Sequence, residues 1–271
     1  MAITPSDVKD RLVGLGGLLK KASLLDPAYT DTNIQERIDS ATRRFERETN
    51  FRINKVQKYT YADGVYVTTG STQTSIIDAN IPVIEETPYD YILDDVKEFF
   101  RLRLNDHPVI TIHRLFLAWN RQFKFFTFPD EWIQVNKTNG LLTIMPFRGA
   151  GATVAMSAVM ATFIQGFASS ANVPSVINVD YTVGLPTTWA DMSEWRDLRK
   201  CIEEYSAYFV LSDIQELLPQ GLRELGQSAD GISQSFNYSF FEQRMETLMG
   251  SVQTYQETLK ARTEGIMFTV I

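Results

Sequence analysis

Near its C-terminal end the chain carries Phe241, Met245, Leu248, Val252, Tyr255 and Leu259 at steps of four, three, four, three and four. Alternating steps of four and three repeat every seven residues, the spacing of a seam between helices, narrower than the apolar face of a globular surface helix. The spacing predicts a helix over about residues 240–263. Ser239 and Glu242 stand three apart at its start, where each side chain can satisfy the other's backbone N–H. Gly265 offers a left-handed stop. After it comes the uncharged, strand-prone run Ile266, Met267, Phe268, Thr269, Val270 and Ile271. A seam helix followed by such a tail reads as a piece built for contacts with other chains.

Other helices belong with it. Thr4-Pro5-Ser6-Asp7 places a cap, a proline at the first helical position and an acid at the third, with Val8, Leu12 and Leu15 on one side. Thr32 with Gln35 predicts a second start, and Ile34, Ile38, Ala41 and Phe45 share its buried face until Asn50. Asp191 with Glu194 opens a long helix whose inner face is Trp195, Leu198, Ile202, Tyr205 and Phe209, stopped by Pro219. A loop of small polar residues, 226–233, separates it from the seam helix.

Between these helices the pattern changes period. Asp63-Gly64 predicts a hairpin between Val56-to-Tyr61 and Val65-to-Val67, and Asn139-Gly140 another between residues 132–135 and 141–145. Residues 109–117 and 123–128 pair around Asn120, and residues 70–87 read as loops. Residues 177–184 give one more strand, closed by Gly184 and Pro186. The apolar stretch 152–167 is too short to span a bilayer; its residues suit a short helix or extended strands, and the reading favoured here is an extended, partner-facing hairpin. The expected fold class is α+β: mainly an α-helical bundle built from both chain ends, residues 1–50 and 180–265. An antiparallel β-rich domain, 51–179, is inserted between them, and 266–271 is a docking tail.

Charge is unevenly spread. The formal net charge is −7, and residues 191–264 hold thirteen acids against seven bases. Nearly the whole surplus therefore sits in the C-terminal helices, where Glu203, Glu204, Asp213 and Glu216 are candidates for a wall that repels a polyanion. Nothing in the sequence predicts catalysis. No phosphate loop, dinucleotide fingerprint or nucleophile elbow occurs. The acid pairs Glu85-Glu86, Asp94-Asp95 and Glu203-Glu204 read as solvation, because neighbouring carboxylates point apart. His107 and His113 are the only histidines and Cys201 the only cysteine, so a His/Cys zinc site is not expected, and neither is a cofactor. The single thiol also fits a reducing compartment. Neither a membrane span nor a secretory signal is expected. Phe125, Phe126, Phe128, Trp119, Phe123 and Trp132 read as core of the β domain.

The segment Ile34, Ile38, Ala41 running into Phe45-Glu46-Arg47-Glu48-Thr49-Asn50-Phe51 resembles the opening of tailed-bacteriophage head-to-tail adaptor (connector, or head completion) proteins. Val179-Asp180-Tyr181-Thr182-Val183-Gly184-Leu185 with Pro186 ahead of a long helix is similar to the same family, as are Ser228-Ala229-Asp230-Gly231-Ile232-Ser233 and the closing helix. The likeness covers residues 32–51 and about 177–264. The large middle domain and the extra N-terminal helix are departures from the family.

The resemblance implies a non-enzymatic virion protein that forms a closed ring, usually of twelve copies, under the portal. Such a ring sits in the neck after assembly in the host cytoplasm. It lets DNA pass without specific binding and presents a platform to the next neck or tail protein. In that frame residues 266–271 dock on the portal, residues 241, 245, 248, 252, 255 and 259 serve helix-seam and oligomer packing, and the four acids are the candidates for facing the lumen. The alternative is a carbohydrate- or protein-binding β-domain on a helical scaffold, such as an accessory fibre or decoration protein, which would need an exposed aromatic site.

Overall fold

The computed structural model describes residues 3–12, 30–60, 66–69, 72–75, 78, 80–92, 100–118, 124–144, 172–217, 224–229 and 232–264. The chain divides into two compact units, residues 1–49 with 187–271, and residues 50–186. The class is α+β. The strand ending at Val183 lies wholly in the second unit, so the expected boundary at 180 moves to 187.

Among the described residues the first unit has four helices: α1 (Pro5–Arg11), α2 (Asp31–Thr49), α3 (Arg196–Leu217) and α4 (Tyr238–Glu264). Helix α1 starts with the expected capping box: Thr4 N and Oγ1 each lie 2.8 Å from Asp7 Oδ2. Helix α2 starts one residue before Thr32, because Thr30 rather than Thr32 meets a partner three residues on. Its N and Oγ1 donate to Asn33 Oδ1, while Gln35 turns to Asp39 four residues along the helix. Asn50, with φ 54°, takes the left-handed conformation that ends α2, one of the few non-glycine types to adopt it readily.

Two 3-10 turns, Trp189–Asp191 and Ser193–Trp195, occupy the expected first turns of the long helix, which becomes α-helical only at Arg196. The expected polar loop is instead a hairpin, β12 (Glu224–Ala229) against β13 (Ile232–Asn237). Helix α4 follows β13 directly from Tyr238, so Ser239 lies inside the helix rather than capping it. The core of this unit joins Val8, Ile38, Phe45, Ile202, Leu248 and Val252, each at most 4% exposed.

The second unit is built on β11 (Asn172–Val183). Its neighbours are β1 (Val56–Tyr59), β7 (Val109–Ala118) and, at its first residues, β5 (Tyr89–Ile92). Strand β4 (Val83–Glu85) lies parallel to β1 at one edge, and β8 (Lys124–Thr127) flanks β7 at the other. Residues 176–183 are buried on both faces. Ile177, Val179, Tyr181 and Val183 point into the apolar core with Leu115, Leu117 and Trp132. A smaller sheet, β6 (Phe100–Arg103), β10 (Leu141–Ile144) and β9 (Ile133–Asn136), closes around Gly140 at φ 67°, the expected Asn-Gly turn.

Two expectations for the β region are corrected. Strand β1 pairs with β11 and β4, while β2 (Tyr66–Thr69) pairs with β3 (Thr72–Ser75), so Asp63-Gly64 does not join two partners. The stretch expected to be loops, 70–87, contributes strands β3 and β4. Alternation was absent there because a three- or four-residue strand is too short to display it. Residues 145–171, including the apolar stretch 152–167, lie outside the described residues, as does the tail.

Gly184 ends β11 at φ 121°, where a side chain is strained. A Cβ there would sit 2.6 Å from the Asn54 carbonyl oxygen and 2.7 Å from Lys55 Cα. The glycine lets residues 53–55 cross closely, and Leu185 N then donates to Ile53 O at 3.0 Å.

Candidate functional site

The seam residues of α4 are largely spent within their own chain. Val252 is fully buried, Leu248 is 2% and Leu259 7% exposed, and Met245 and Tyr255 are half-buried. The Tyr255 ring lies 6.3 Å from that of Phe45 on α2, and burial pushes its hydroxyl pKa up to about 12. The backbone of Phe241 is on α4, and its side chain lies outside the described ones. The seam therefore joins α4 to α2 and α3 of the same chain. A 3.5-residue stripe marks a helix–helix contact but is blind to whether the partner helix is intramolecular.

Four acids were candidates for a lumen wall that repels a polyanion, and the structure separates them. Glu203 is buried, accepting from Arg11 (2.7 and 2.9 Å) and from Arg199 Nε at 2.8 Å. Arg199 also reaches Asp7 at 2.9 Å. Glu204 is buried too and accepts from Ser251 on α4 at 2.6 Å. Both carboxylates tie helices together and are not exposed, which corrects their placement. Asp213 is half-buried and pairs with Arg37 at 2.6 Å, leaving Glu216 as the exposed member of the four. Acids do line the surface of α4, where Glu242, Glu246 and Glu257 are exposed.

Glu48 forms a further junction among α2, α3 and α4. It accepts from Arg44 (2.7 Å), Gln256 (2.8 Å) and the Tyr205 hydroxyl (3.3 Å), while Arg44 lies over the Tyr205 and Phe209 rings. Burial acts to raise the Glu48 pKa, but the hydrogen bonds from Arg44 and Gln256 outweigh it and hold the group below its ordinary value. Asp7 is likewise lowered: burial opposes, and Thr4 and Arg199 prevail.

The β unit contains two buried charge clusters that sequence patterning did not reveal. In one, Asp180 on β11 is fully buried and paired with Arg114, and takes Thr60 N at 3.1 Å. Burial nonetheless raises its pKa. His113 beside it bonds Thr182 Oγ1 at 2.7 Å and stacks on Tyr59 at 5.9 Å, and burial lowers its pKa. In the other, Lys58 Nζ lies 3.0 Å from Glu86 Oε2 and 2.6 Å from Asp106 Oδ2, and Arg52 Nε is 2.8 Å from Asp106 Oδ1. Glu86 was expected to be a solvated acid. In the structure Glu85, the last residue of β4, is exposed, and Glu86, just beyond the strand, is buried. Lys58 stands in β1, all four residues of which are buried.

Of the aromatic residues, Trp132 is buried and Phe126 and Phe128 pack against the core, their rings edge-to-face at 4.9 Å. Cys201 is buried in α3, and burial pushes its thiol up to about 12, out of the reactive range. Among the described residues no group of three His, Cys, Asp or Glu is placed to hold a metal, and no helix is long and apolar enough to cross a membrane.

No family model matches the chain, and no curated protein matches it. Among solved structures, a chain from the virion of a native gene transfer agent particle aligns over 82% of this chain and 80% of its own length. It does so at 12% identity and a TM-score of 0.30. A likeness of that size carries no argument about function.

Proposed function

We propose that this chain is a structural virion protein: a head-to-tail adaptor that forms a ring under the portal, extends the DNA channel and links the capsid to the neck or tail. The carrying observation is the order of elements. The helix over 31–49 and the two long helices α3 and α4, which hold most of the residues bearing the adaptor resemblance, belong to one compact unit, while the β-rich segment between them forms the other. The exposed acids of α4 and Glu216 of α3 support a DNA-passing lumen, because fixed negative charge prevents the counterion release that makes basic channels bind duplex. In this reading the protein has no catalytic role and needs no cofactor. Its partners are further copies of itself, the portal, and the next neck or tail component. The tail 266–271 docks on the portal by adding a strand to an exposed edge. Since the α4 seam is internal, ring contacts fall to surfaces other than Leu248, Val252 and Leu259.

The test is native mass spectrometry of the purified protein alone and mixed with portal. The proposal expects a closed oligomer joined stoichiometrically to portal. A protein that stays monomeric and leaves portal unbound contradicts it.

A further inference from the structure

We propose that Lys58 and Asp106 form an intramolecular isopeptide bond, with Glu86 as the proton-transfer residue. The inference concerns the β unit alone and does not depend on the adaptor reading. Three side chains, each at most 7% exposed, bring an amine and two carboxyl groups together: Lys58 Nζ is 2.6 Å from Asp106 Oδ2 and 3.0 Å from Glu86 Oε2. Separations of this order hold the reacting groups close to an attack geometry before any chemistry begins.

Each group has a distinct environment. Glu86 Oε1 is fixed by the Tyr89 hydroxyl (2.7 Å), Asn105 Nδ2 (2.7 Å) and the Tyr181 hydroxyl (3.2 Å), which leaves Oε2 to face the lysine. Asp106 Oδ1 receives Arg52 Nε at 2.8 Å, with a second guanidinium nitrogen 3.5 Å from Oδ2. The backbone is equally constrained, since Glu86 N donates to Tyr59 O at 2.8 Å and His107 N to Asn50 O at 3.1 Å. Lys58 lies on β1 and Asp106 just before β7, so the bond would staple two neighbours of the central strand.

The step balances without an oxidant or co-reactant. Lys58 passes a proton through Glu86 to Asp106 Oδ2, giving a neutral amine and a carboxylic acid. The amine attacks Asp106 Cγ, and Arg52 stabilises the negative charge that develops on Oδ1. Glu86 then carries a proton from the attached nitrogen to Oδ2, which leaves as water. The C=O re-forms, the nitrogen keeps one hydrogen as an amide, and Glu86 is regenerated as a carboxylate. Burial slows the reverse hydrolysis by excluding bulk water.

The experiment is intact mass measurement of the full chain after acid denaturation, followed by proteolysis and fragment mapping. The wild-type protein is expected one water lighter than its sequence, with a branched peptide joining the Lys58 and Asp106 fragments. D106A and K58A should show the full mass. E86Q should also show it, with its melting curve recorded to establish that it folds. A wild-type chain at full mass after prolonged incubation overturns the proposal, whatever the variants do. So does a water deficit that persists in D106A, and one that persists in folded E86Q removes Glu86 from its role.

Discussion

Leu248→Ala distinguishes an internal seam from an intersubunit one. The side chain is 2% exposed in the helical unit, so its loss removes nearly the whole transfer free energy of a buried leucine and leaves a cavity that α4 can close only in part. The expected cost is about 2–5 kcal/mol. For a unit of this size each kcal/mol moves the melting temperature by about 3–5 °C, which puts the shift at roughly 6–25 °C. Calorimetry at two protein concentrations an order of magnitude apart is the assay, with exposed Glu257→Ala as control. An internal seam predicts the same large shift at both concentrations and almost none in the control. A variant that melts like the wild type but assembles less well would refute the placement, because a seam between subunits couples melting to concentration.

Gly184→Ala should destabilise the β unit by about 1–3 kcal/mol from backbone strain alone, before the clash with Asn54 is added; urea unfolding of the variant checks this. The helical unit should lose stability in acid. Asp7 and Glu48 have lowered folded pKa values, so their contribution is complete above the ordinary carboxylate value near 4 and is lost as pH falls through the folded value. Glu48→Gln should flatten the fall in melting temperature as pH drops below the ordinary carboxylate value, while Asp180, whose pKa is raised, contributes with the opposite sign. Deleting residues 266–271 should leave melting unchanged and abolish co-sedimentation with portal; undiminished binding by the truncated chain removes the tail as anchor. Fluorescence anisotropy should find no duplex-DNA binding at physiological salt, and a submicromolar Kd there would overturn the acidic-lumen idea.

What the sequence revealed depended on the range of the forces involved. The Thr4–Asp7 cap, the helix end at Asn50, the Asn139-Gly140 turn and the apolar face through Ile34, Ile38 and Phe45 are local, and all four stand in the structure. Partner choice is not local. Nothing near Val56 indicates that it pairs with Val183 rather than with the strand across Asp63-Gly64. The β12–β13 hairpin did carry its Asp230-Gly231 signal, but its polar strands lacked the apolar alternation that would have marked them. The charge clusters were hidden for the same reason. Glu86 and Glu203 each have an acidic neighbour in sequence, the mark of a solvated surface, and only long-range contacts to Lys58 and Arg11 show them to be buried.

The central claim is assembly with portal, and electron microscopy of the purified protein mixed with portal tests it most directly. The account predicts end-on views of one closed ring coaxial with the portal, enclosing an open channel, with the β-rich unit repeated once per subunit. Portal particles free of added density, beside a dispersed protein that forms no ring, would contradict it.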